Sequence, residues 1–336
     1  MRGMRRALGA AVALLLALSA PLATSGQWSS GNYATWSGFL LYAPWVWPSR
    51  DYRLYVPDNL PAGRGRPLVV MLHGCKQDPE AFAAGTRMNA LADREGFLVL
   101  YPKQDRASNI DRCWNWFDSF SQKRLGEAAI IMGMVQEVRE ARAVDPRRIY
   151  VAGLSAGGAM AAILASCYAD VFAAAAIHSG VAYEAATAPW EALAVLEKGS
   201  RTDADTAGSD AWKCSNSTKR PMPVIVFQGE ADERVRPVNA DQLVRQFAQL
   251  GDLADDGRDN DTIRATPVAT TAEQKPGGYA YVVRDYAFAG TTLIREYRVR
   301  DLGHAWSGGN SAEPYNDPAG PDATELMWQF FARHAR

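Results

Sequence analysis

The sequence predicts an α/β fold, in which helices cover both faces of a mostly parallel β-sheet within a single domain. The chain has 336 residues, of which 48% are hydrophobic and 22% are charged, a composition typical of a folded globular protein. A chain of this length buries a core large enough to be stable without a metal or many disulfides. From about residue 51, short apolar runs rich in β-branched residues alternate with longer helical stretches, which is the pattern of a parallel sheet covered by helices.

The first predicted strands are buried, and a helix separates them. Residues 68–72 and 97–101 are continuous apolar runs, and a helical segment lies between them at residues 79–94. The next helix is predicted over residues 127–143, where apolar residues recur at helical spacing. We expect Asp145-Pro146 to end this helix, because proline disfavours the α conformation in the residue before it.

The second half of the chain continues the alternation with one interruption. Predicted strands occupy residues 148–152, 172–177, 224–227 and 292–299, and predicted helices occupy residues 157–167 and 322–335. Residues 181–220 form a mixed polar and alanine-rich insertion, which we expect to lie over a pocket. Residues 252–277 are rich in Asp, Thr and Gly and predict an exposed loop region. No linker follows the last helix, so we expect no appended binding module.

The N-terminal residues predict a secretory signal peptide that is not part of the fold. Arg2, Arg5 and Arg6 precede an apolar run at residues 7–18, which is too short to span a bilayer comfortably. Small residues follow and offer a cleavage site. We therefore expect residues 1–25 to be removed, residues 26–336 to form the folded domain, and the mature protein to be secreted without stable membrane insertion. The alternative is an uncleaved anchor.

Charge and cysteine content argue against several partners and sites. The 36 basic residues are balanced by 37 acidic ones, and no cluster of Lys and Arg follows the N-terminus, so we expect no nucleic-acid partner. Cys75, Cys113, Cys167 and Cys214 are an even set that predicts two disulfides in an oxidising compartment, with three pairings open. Their spacing lacks a C-x-x-C pair and a nearby histidine pair, which argues against zinc. We expect no metal and no cofactor.

The sharpest functional motif is Gly153-Leu154-Ser155-Ala156-Gly157, which lies between a predicted strand and a predicted helix. In a nucleophile elbow of this G-x-S-x-G type the serine occupies a strained turn, and side chains at the glycine positions clash with neighbouring backbone. The motif alone is weak evidence in a chain with 28 glycines. Its position between strand and helix makes Ser155 the candidate nucleophile, exposed at the carboxyl edge of the sheet.

A serine nucleophile needs a histidine base that takes its proton. Of the four histidines, His334 lies in the last predicted helix and His73 precedes a glycine in the loop after a strand. His178 follows the strand next to the elbow helix, where a packed or hydrogen-bonded role is the more common one. His304 is the candidate base, because it lies in a loop between the last strand and the last helix.

The base in turn needs an acid that orients it, and the loop after residues 224–227 contains three. Asp232 is the best placed, and Glu230 and Glu233 stay open as substitutes. The chain order of Ser155, Asp232 and His304 is the nucleophile, acid, histidine order of α/β-hydrolases and differs from both common serine protease orders. The sequence therefore predicts the α/β-hydrolase fold.

Acyl transfer also needs N–H donors for the developing oxyanion, and two segments are placed to supply them. A Leu-His-Gly-Cys segment ends a buried strand, so the main-chain N–H of Cys75 is one candidate. The N–H of Ala156, next after the nucleophile, is the other. A bridge between Cys75 and Cys113 would hold this loop, and the other two cysteines would then tie the elbow helix to the insertion.

The chain contains ten tryptophans, and three of them lie next to candidate site residues. Trp114 and Trp116 follow Cys113, and Trp306 follows the candidate base. Aromatic faces at the mouth of a site suit an apolar acyl chain or a polymer strand, so we expect these three side chains to bind substrate. The alternative is plain core packing.

Five segments together resemble one family. They are Leu72-His73-Gly74-Cys75-Lys76-Gln77, Cys113-Trp114-Asn115-Trp116, Gly153-Leu154-Ser155-Ala156-Gly157-Gly158-Ala159-Met160, Ala176-Ile177-His178-Ser179-Gly180 and Gly303-His304-Ala305-Trp306. From about Tyr52 onward the sequence resembles the polyhydroxybutyrate depolymerase family of esterases, which also contains feruloyl and acetylxylan esterases. The resemblance implies that Ser155, Asp232 and His304 are the triad and that Cys75 and Ala156 form the oxyanion hole.

The resemblance implies a secreted serine esterase, expected to be monomeric, that hydrolyses poly(3-hydroxybutyrate)-type polyesters or their oligomers through an acyl-enzyme. Many secreted members carry a linker and a polymer-binding domain, and because we expect neither here, amorphous polyester, oligomers or small esters are the expected substrates. A feruloyl or acetylxylan esterase acting on plant cell walls is the alternative, since both activities use one mechanism. A catalytically silent binding protein of the same fold is the alternative from another class.

Overall fold

The computed structural model describes residues 26–34, 49–58, 60 and 65–336. The predicted signal peptide at residues 1–25 lies outside these residues. Within them, no helix combines the length and the apolar character that crossing a bilayer requires.

A large sheet dominates the described part of the chain. Its strands, with a short pair near the C-terminus, are β1 (Gln27–Ala34), β2 (Ser49–Val56), β3 (Arg66–Leu72), β4 (Leu98–Pro102), β5 (Val144–Leu154), β6 (Ala174–His178), β7 (Val224–Gly229), β8 (Ala269–Gln274), β9 (Ala280–Phe288), β10 (Thr291–Val299), β11 (Trp306–Ser307) and β12 (Asn316–Asp317). The order across the sheet is β1-β2-β4-β3-β5-β6-β7-β10-β9-β8, and β11 pairs with β12. Neighbours from β4 to β10 run parallel, and the pairs at both edges are antiparallel. The predicted mostly parallel sheet is confirmed.

The core lies on both faces of this sheet, because successive side chains of a strand point to opposite faces. In β3, Leu68, Val70 and Leu72 pack into one apolar cluster, and Val69 and Met71 pack into another on the opposite face. All five side chains are buried. A strand buried on both faces has a continuous apolar sequence, which is why this run predicted a buried strand.

Helices cover the two clusters. In the described residues they are α1 (Pro79–Thr86), α2 (Met88–Glu95), α3 (Gly126–Ala141), α4 (Ala156–Cys167), α5 (Ala192–Lys198), α6 (Ala204–Cys214), α7 (Val238–Asp256) and α8 (Ala323–Phe331). Met134 of α3, Met160 of α4 and Phe247 of α7 belong to the cluster with Leu68. Phe82 of α1 and Phe331 of α8 belong to the opposite cluster, so the predicted covering of both faces is confirmed.

Two predicted helix boundaries are wrong. Residues 79–94 form two helices instead of one, because Arg87 between α1 and α2 has a φ of 57°, in the left-handed region that interrupts a helix. Asp145-Pro146 does not end α3, which stops at Ala141, but lies inside β5. The extended backbone that proline favours before itself suits a strand equally well, and the pairing of β5 with β3 shifts register at this point.

Residues 252–277, predicted as an exposed loop region, contain the end of a helix and a strand. α7 continues to Asp256, and β8 pairs with β9 at the edge of the sheet. All six residues of β8 are exposed, so the strand lacks the alternation of apolar and polar residues that would have predicted it. The exposure was predicted correctly, and the absence of regular structure was wrong.

The disulfides are Cys75–Cys113 and Cys167–Cys214, which confirms the two predicted bridges and selects one of the three pairings. The second bridge joins the end of α4 to the end of α6, in the insertion at residues 181–220. The carbonyl of Leu196 in α5 accepts the N–H of Arg236 at 2.9 Å. The insertion therefore contacts the loop that follows β7.

Candidate active site

Ser155 occupies a tight turn between the end of β5 and the start of α4, with φ 59° and ψ −121°. Few L-residues adopt a positive φ, and such strain is typical of functional sites. A Cβ on Gly153 would lie 2.2 Å from the carbonyl oxygen of Gly157, and one on Gly157 would lie 2.0 Å from the carbonyl oxygen of Leu72. The turn therefore requires glycine at both positions, which is the steric reason for the motif.

His304 and Asp232 form a hydrogen-bonded pair. The Nδ1–H of His304 donates to Oδ2 of Asp232 at 2.8 Å, so Nε2 carries the ring's free lone pair. Oδ1 of Asp232 accepts the main-chain N–H groups of Arg234 and Val235, both at 2.9 Å. Every acceptor oxygen of this carboxylate is thus bonded, and the pair is held rigidly.

Asp232 stays ionised although it is completely buried. Burial raises the pKa of its carboxyl, but the hydrogen bond from His304, the electrostatic interaction with that ring and the two main-chain N–H groups outweigh burial, so the pKa lies below its ordinary value. Glu230 and Glu233 are both exposed. Of the three candidate acids, the structure pairs Asp232 with the histidine.

The three triad candidates lie at the same edge of the sheet. Ser155 follows β5, Asp232 follows β7 and His304 follows β10. These strands run parallel, so their carboxyl ends meet at one edge, where sites of open α/β sheets form. The side chain of His304 is 9% exposed, whereas that of Asp232 is completely buried.

The loop after β3 packs directly against the elbow. A Cβ on Gly74 would lie 3.4 Å from the carbonyl oxygen of Leu154 and 3.5 Å from Cβ of Ser155. Neither the N–H of Cys75 nor that of Ala156 donates to a protein acceptor within the described residues. Ala156 is the first residue of α4, where main-chain N–H groups lack partners within the helix. Within the described residues, both N–H groups therefore lack a protein acceptor.

Gln77, for which the sequence predicted no role in the site, holds this loop. Its Oε1 accepts the N–H of Gly74 at 2.9 Å, and its Nε2 donates to the carbonyl of Pro314 at 3.4 Å. The Cys75–Cys113 bridge anchors the loop from the other side. Gln77 is the last residue of the first of the five segments that resemble the family, and this position is the sequence signal that could have pointed to a role in the site.

Two other histidines near the site are buried and uncharged. The Nδ1–H of His73 donates to the carbonyl of Gly74, and its Nε2 accepts the N–H of Gln104 at 3.2 Å. Burial lowers the pKa of His73 to about 4 and that of His178 to about 3. His178 is hydrogen-bonded through both ring nitrogens, as the sequence predicted.

The expectation that three tryptophans bind substrate is wrong, because all three are buried. Trp114, Trp116 and Trp306 are exposed by 0%, 4% and 1%. Trp306 stacks on His178 at 5.2 Å, and its Nε1–H donates to Thr324. The alternative of core packing is correct, because all three rings belong to the hydrophobic clusters of the core.

Comparison with known proteins identifies the family of this chain. Residues 50–266 match the family model for Esterase PHB depolymerase. The chain is 33% identical over 252 residues to poly(3-hydroxyalkanoate) depolymerase C of Paucimonas lemoignei, covering 74% of this chain and 57% of that protein. It is 32% identical over 206 residues to feruloyl esterase B of Thermothelomyces thermophilus, covering 59% of this chain and 69% of the relative. The chain thus spans little more than half the length of the depolymerase.

Among solved structures, acetyl xylan esterase from Aspergillus awamori superposes with a TM-score of 0.66 at 20% identity, covering 84% of this chain and 94% of that one. At this identity the likeness shows a shared fold. This structural likeness and the family match over residues 50–266 together support the α/β-hydrolase fold. The chain belongs to the Esterase PHB depolymerase family.

Proposed function

We propose that Ser155, His304 and Asp232 form a catalytic triad that hydrolyses carboxylic esters through an acyl-enzyme. The observation that carries this proposal is the 2.8 Å bond between Nδ1 of His304 and Asp232, at the sheet edge where the Ser155 elbow stands. This bond fixes the tautomer in which Nε2 accepts a proton. A serine hydroxyl is a poor nucleophile without such a base.

The mechanism follows from these positions. Oγ of Ser155 attacks the ester carbonyl carbon while its proton passes to Nε2 of His304. The N–H groups of Cys75 and Ala156 bind the oxyanion of the tetrahedral intermediate. The imidazolium, stabilised by Asp232, then gives the proton to the departing alcohol, which leaves an acyl-serine. Water then attacks the acyl-serine while its proton passes to Nε2 of His304, and the second intermediate collapses to release the acid and return the proton to Ser155. No step needs a metal or a cofactor.

For the substrate, we propose polyesters of 3-hydroxyalkanoates or their oligomers. Support comes from the relatives named poly(3-hydroxyalkanoate) depolymerase C and poly(3-hydroxybutyrate) depolymerase. The insertion also exposes two large apolar side chains, Trp190 and Leu193, on a segment that adjoins the Asp232 loop. Exposed apolar surface suits an apolar polymer. The relative named feruloyl esterase B favours the second candidate, an esterase of plant cell walls.

A substrate comparison on residues 26–336 tests this proposal. Wild type and Ser155→Ala are incubated with amorphous poly(3-hydroxybutyrate), its soluble oligomers, a feruloylated arabinoxylan and an acetylated xylan. We expect release of 3-hydroxybutyrate products by wild type and none by the variant. Release of ferulate or acetate with no attack on polyester would select the second candidate, and no turnover of any ester would contradict the proposed function.

We also propose that the protein is exported. The predicted signal peptide and the disulfides Cys75–Cys113 and Cys167–Cys214 support this, because disulfides persist in oxidising compartments. Expression of the full chain followed by N-terminal sequencing of the exported protein tests it. We expect the exported chain to begin near residue 26, and retention of residues 1–25 in a membrane fraction would contradict cleavage.

A further inference from the structure

His178 is a buried histidine that the proposed mechanism leaves without a role. It ends β6, which lies between β5, the strand before Ser155, and β7, the strand before Asp232. In the sheet, His178 is paired with Leu154 on one side and Phe227 on the other. It therefore stands between the nucleophile and the loops that carry the acid and the base.

His178 bonds to both sides of the site. Its main-chain carbonyl accepts the N–H of Ser155 at 2.9 Å, so it holds the nucleophile's own peptide. Its ring Nε2 accepts the N–H of Ser307 at 3.0 Å. Ser307 is buried and lies three residues after His304, in β11, which directly follows the loop of the base. A single residue thus connects the nucleophile elbow to the loop of the base.

The ring of His178 is fixed in the orientation that this connection needs. It stacks between Phe227, at 5.6 Å and 15°, and Trp306, at 5.2 Å and 25°. Its Nδ1–H donates to Oγ of Ser179 at 3.2 Å, which leaves the lone pair on Nε2 for Ser307. Burial keeps the ring uncharged by lowering its pKa to about 3. Trp306 lies two residues after His304, and its ring is buried where it stacks on His178.

We propose that His178 is a positioning residue that sets the separation of Ser155 from His304 by bonding the nucleophile's peptide through its carbonyl and the base's loop through its ring. The inference rests on the proposed triad. Loss of the Nε2 acceptor leaves the N–H of Ser307 unpaired in a buried place, and the loop relaxes to satisfy it. The base then moves relative to the nucleophile, and small displacements of catalytic groups are costly to turnover.

The test separates the acceptor from the aromatic stack. His178→Phe keeps a flat ring for Phe227 and Trp306 but removes the acceptor. His178→Gln places an amide oxygen near the position of Nε2 and restores the acceptor. His334→Phe is the matched control, because it makes the same change at a histidine after α8 whose ring packs on Phe330 at 4.5 Å. Two residues later, Arg336 bonds to Arg147 near the start of β5, whereas Ser155 follows the opposite end of that strand.

Each variant is assayed with a soluble p-nitrophenyl ester at a temperature well below its unfolding midpoint, and kcat is referred to active sites counted with a fluorophosphonate. We expect His178→Phe to lower kcat about 10- to 100-fold with KM changed less than about threefold, because a displaced base slows chemistry and leaves binding intact. We expect His178→Gln to recover most of that loss and His334→Phe to match wild type. A purely structural role would lower the unfolding midpoint and leave kcat per active site unchanged.

A folded His178→Phe variant with kcat within about twofold of wild type overturns the proposal, since misplacement of a catalytic base has a large effect. If that variant does not fold, His178→Asn replaces it, because its amide is one carbon shorter than that of Gln and does not reach Ser307. Equal kcat for the Asn and Gln variants then overturns the proposal. Full activity of Ser155→Ala in the same assay would instead refute the triad itself, so the two failures are distinguishable.

Discussion

Replacement of Asp232 by Asn tests how the acid acts. The Asn side chain has the shape of Asp, and its oxygen still accepts the N–H groups of Arg234 and Val235, which lie at 2.9 Å from Oδ1. Its NH₂ group, however, takes the place of Oδ2 and faces the Nδ1–H of His304, so two hydrogen-bond donors point at each other. The imidazole avoids this clash by moving its proton to Nε2, and it then cannot accept the proton of Ser155.

The wrong tautomer lowers turnover by about 10⁴, which corresponds to about 5 kcal/mol in the activation barrier. The assay is kcat for a soluble p-nitrophenyl ester at neutral pH, with the rate of fluorophosphonate labelling as a second readout. Glu233→Gln is the matched control, because it removes a neighbouring exposed carboxylate that bonds no triad residue, and we expect wild-type turnover. Thermal unfolding of both variants verifies that they fold.

A loss below about tenfold in Asp232→Asn would rule out this role of Asp232, because a base held in the wrong tautomer does not support turnover at that level. An equal loss in Glu233→Gln would point to the overall charge of the loop instead of the bond to His304. A variant that fails to fold would contradict the expectation that Asn keeps both main-chain bonds.

Four further outcomes are expected. Ser155→Ala lowers kcat by roughly 10⁴- to 10⁶-fold, and a loss below tenfold would indicate another serine. Gln77→Leu removes the acceptor of the Gly74 N–H and so disturbs the position of the neighbouring Cys75 N–H, and we expect kcat to fall about 10- to 100-fold with KM nearly constant. An unchanged kcat would show that Gln77 does not position the oxyanion loop. The unfolded chain protonates histidine below its ordinary pKa of 6.5, whereas burial lowers the pKa of folded His73 to about 4, so the contribution of His73 to stability is fully present above pH 6.5 and falls by about 3 kcal/mol as the pH drops to 4; an unfolding midpoint that is constant over this range contradicts it. Activity should persist in a chelator, since neither nucleophile nor base depends on a metal, and inhibition by EDTA would contradict the mechanism.

The geometry of the candidate site was predictable where its requirements are local. The elbow needs glycines at positions 153 and 157 because any Cβ there meets backbone, and that constraint is visible in five residues. The chain order of Ser155, Asp232 and His304 follows from the order of the strands that carry them, which the alternation of apolar runs and helices had already indicated.

Features decided by packing between distant segments were not predictable. Trp306 follows the base in sequence and was expected to face substrate, but its ring is enclosed by His178 and Phe82 from other strands and helices. Gln77 reaches a carbonyl 237 residues away, which no local pattern reveals. β8 is an exposed edge strand that depends on main-chain pairing with β9, and its side chains therefore leave no apolar signal.

Ser155 is the proposed nucleophile, and mass spectrometry of the protein after reaction with a fluorophosphonate shows which residue takes up the phosphonyl group. We predict one adduct, on the peptide that contains Ser155, in wild type, no adduct in Ser155→Ala, and much slower labelling in Asp232→Asn. An adduct on a different residue, or an enzyme that hydrolyses esters and is never labelled, would contradict the account.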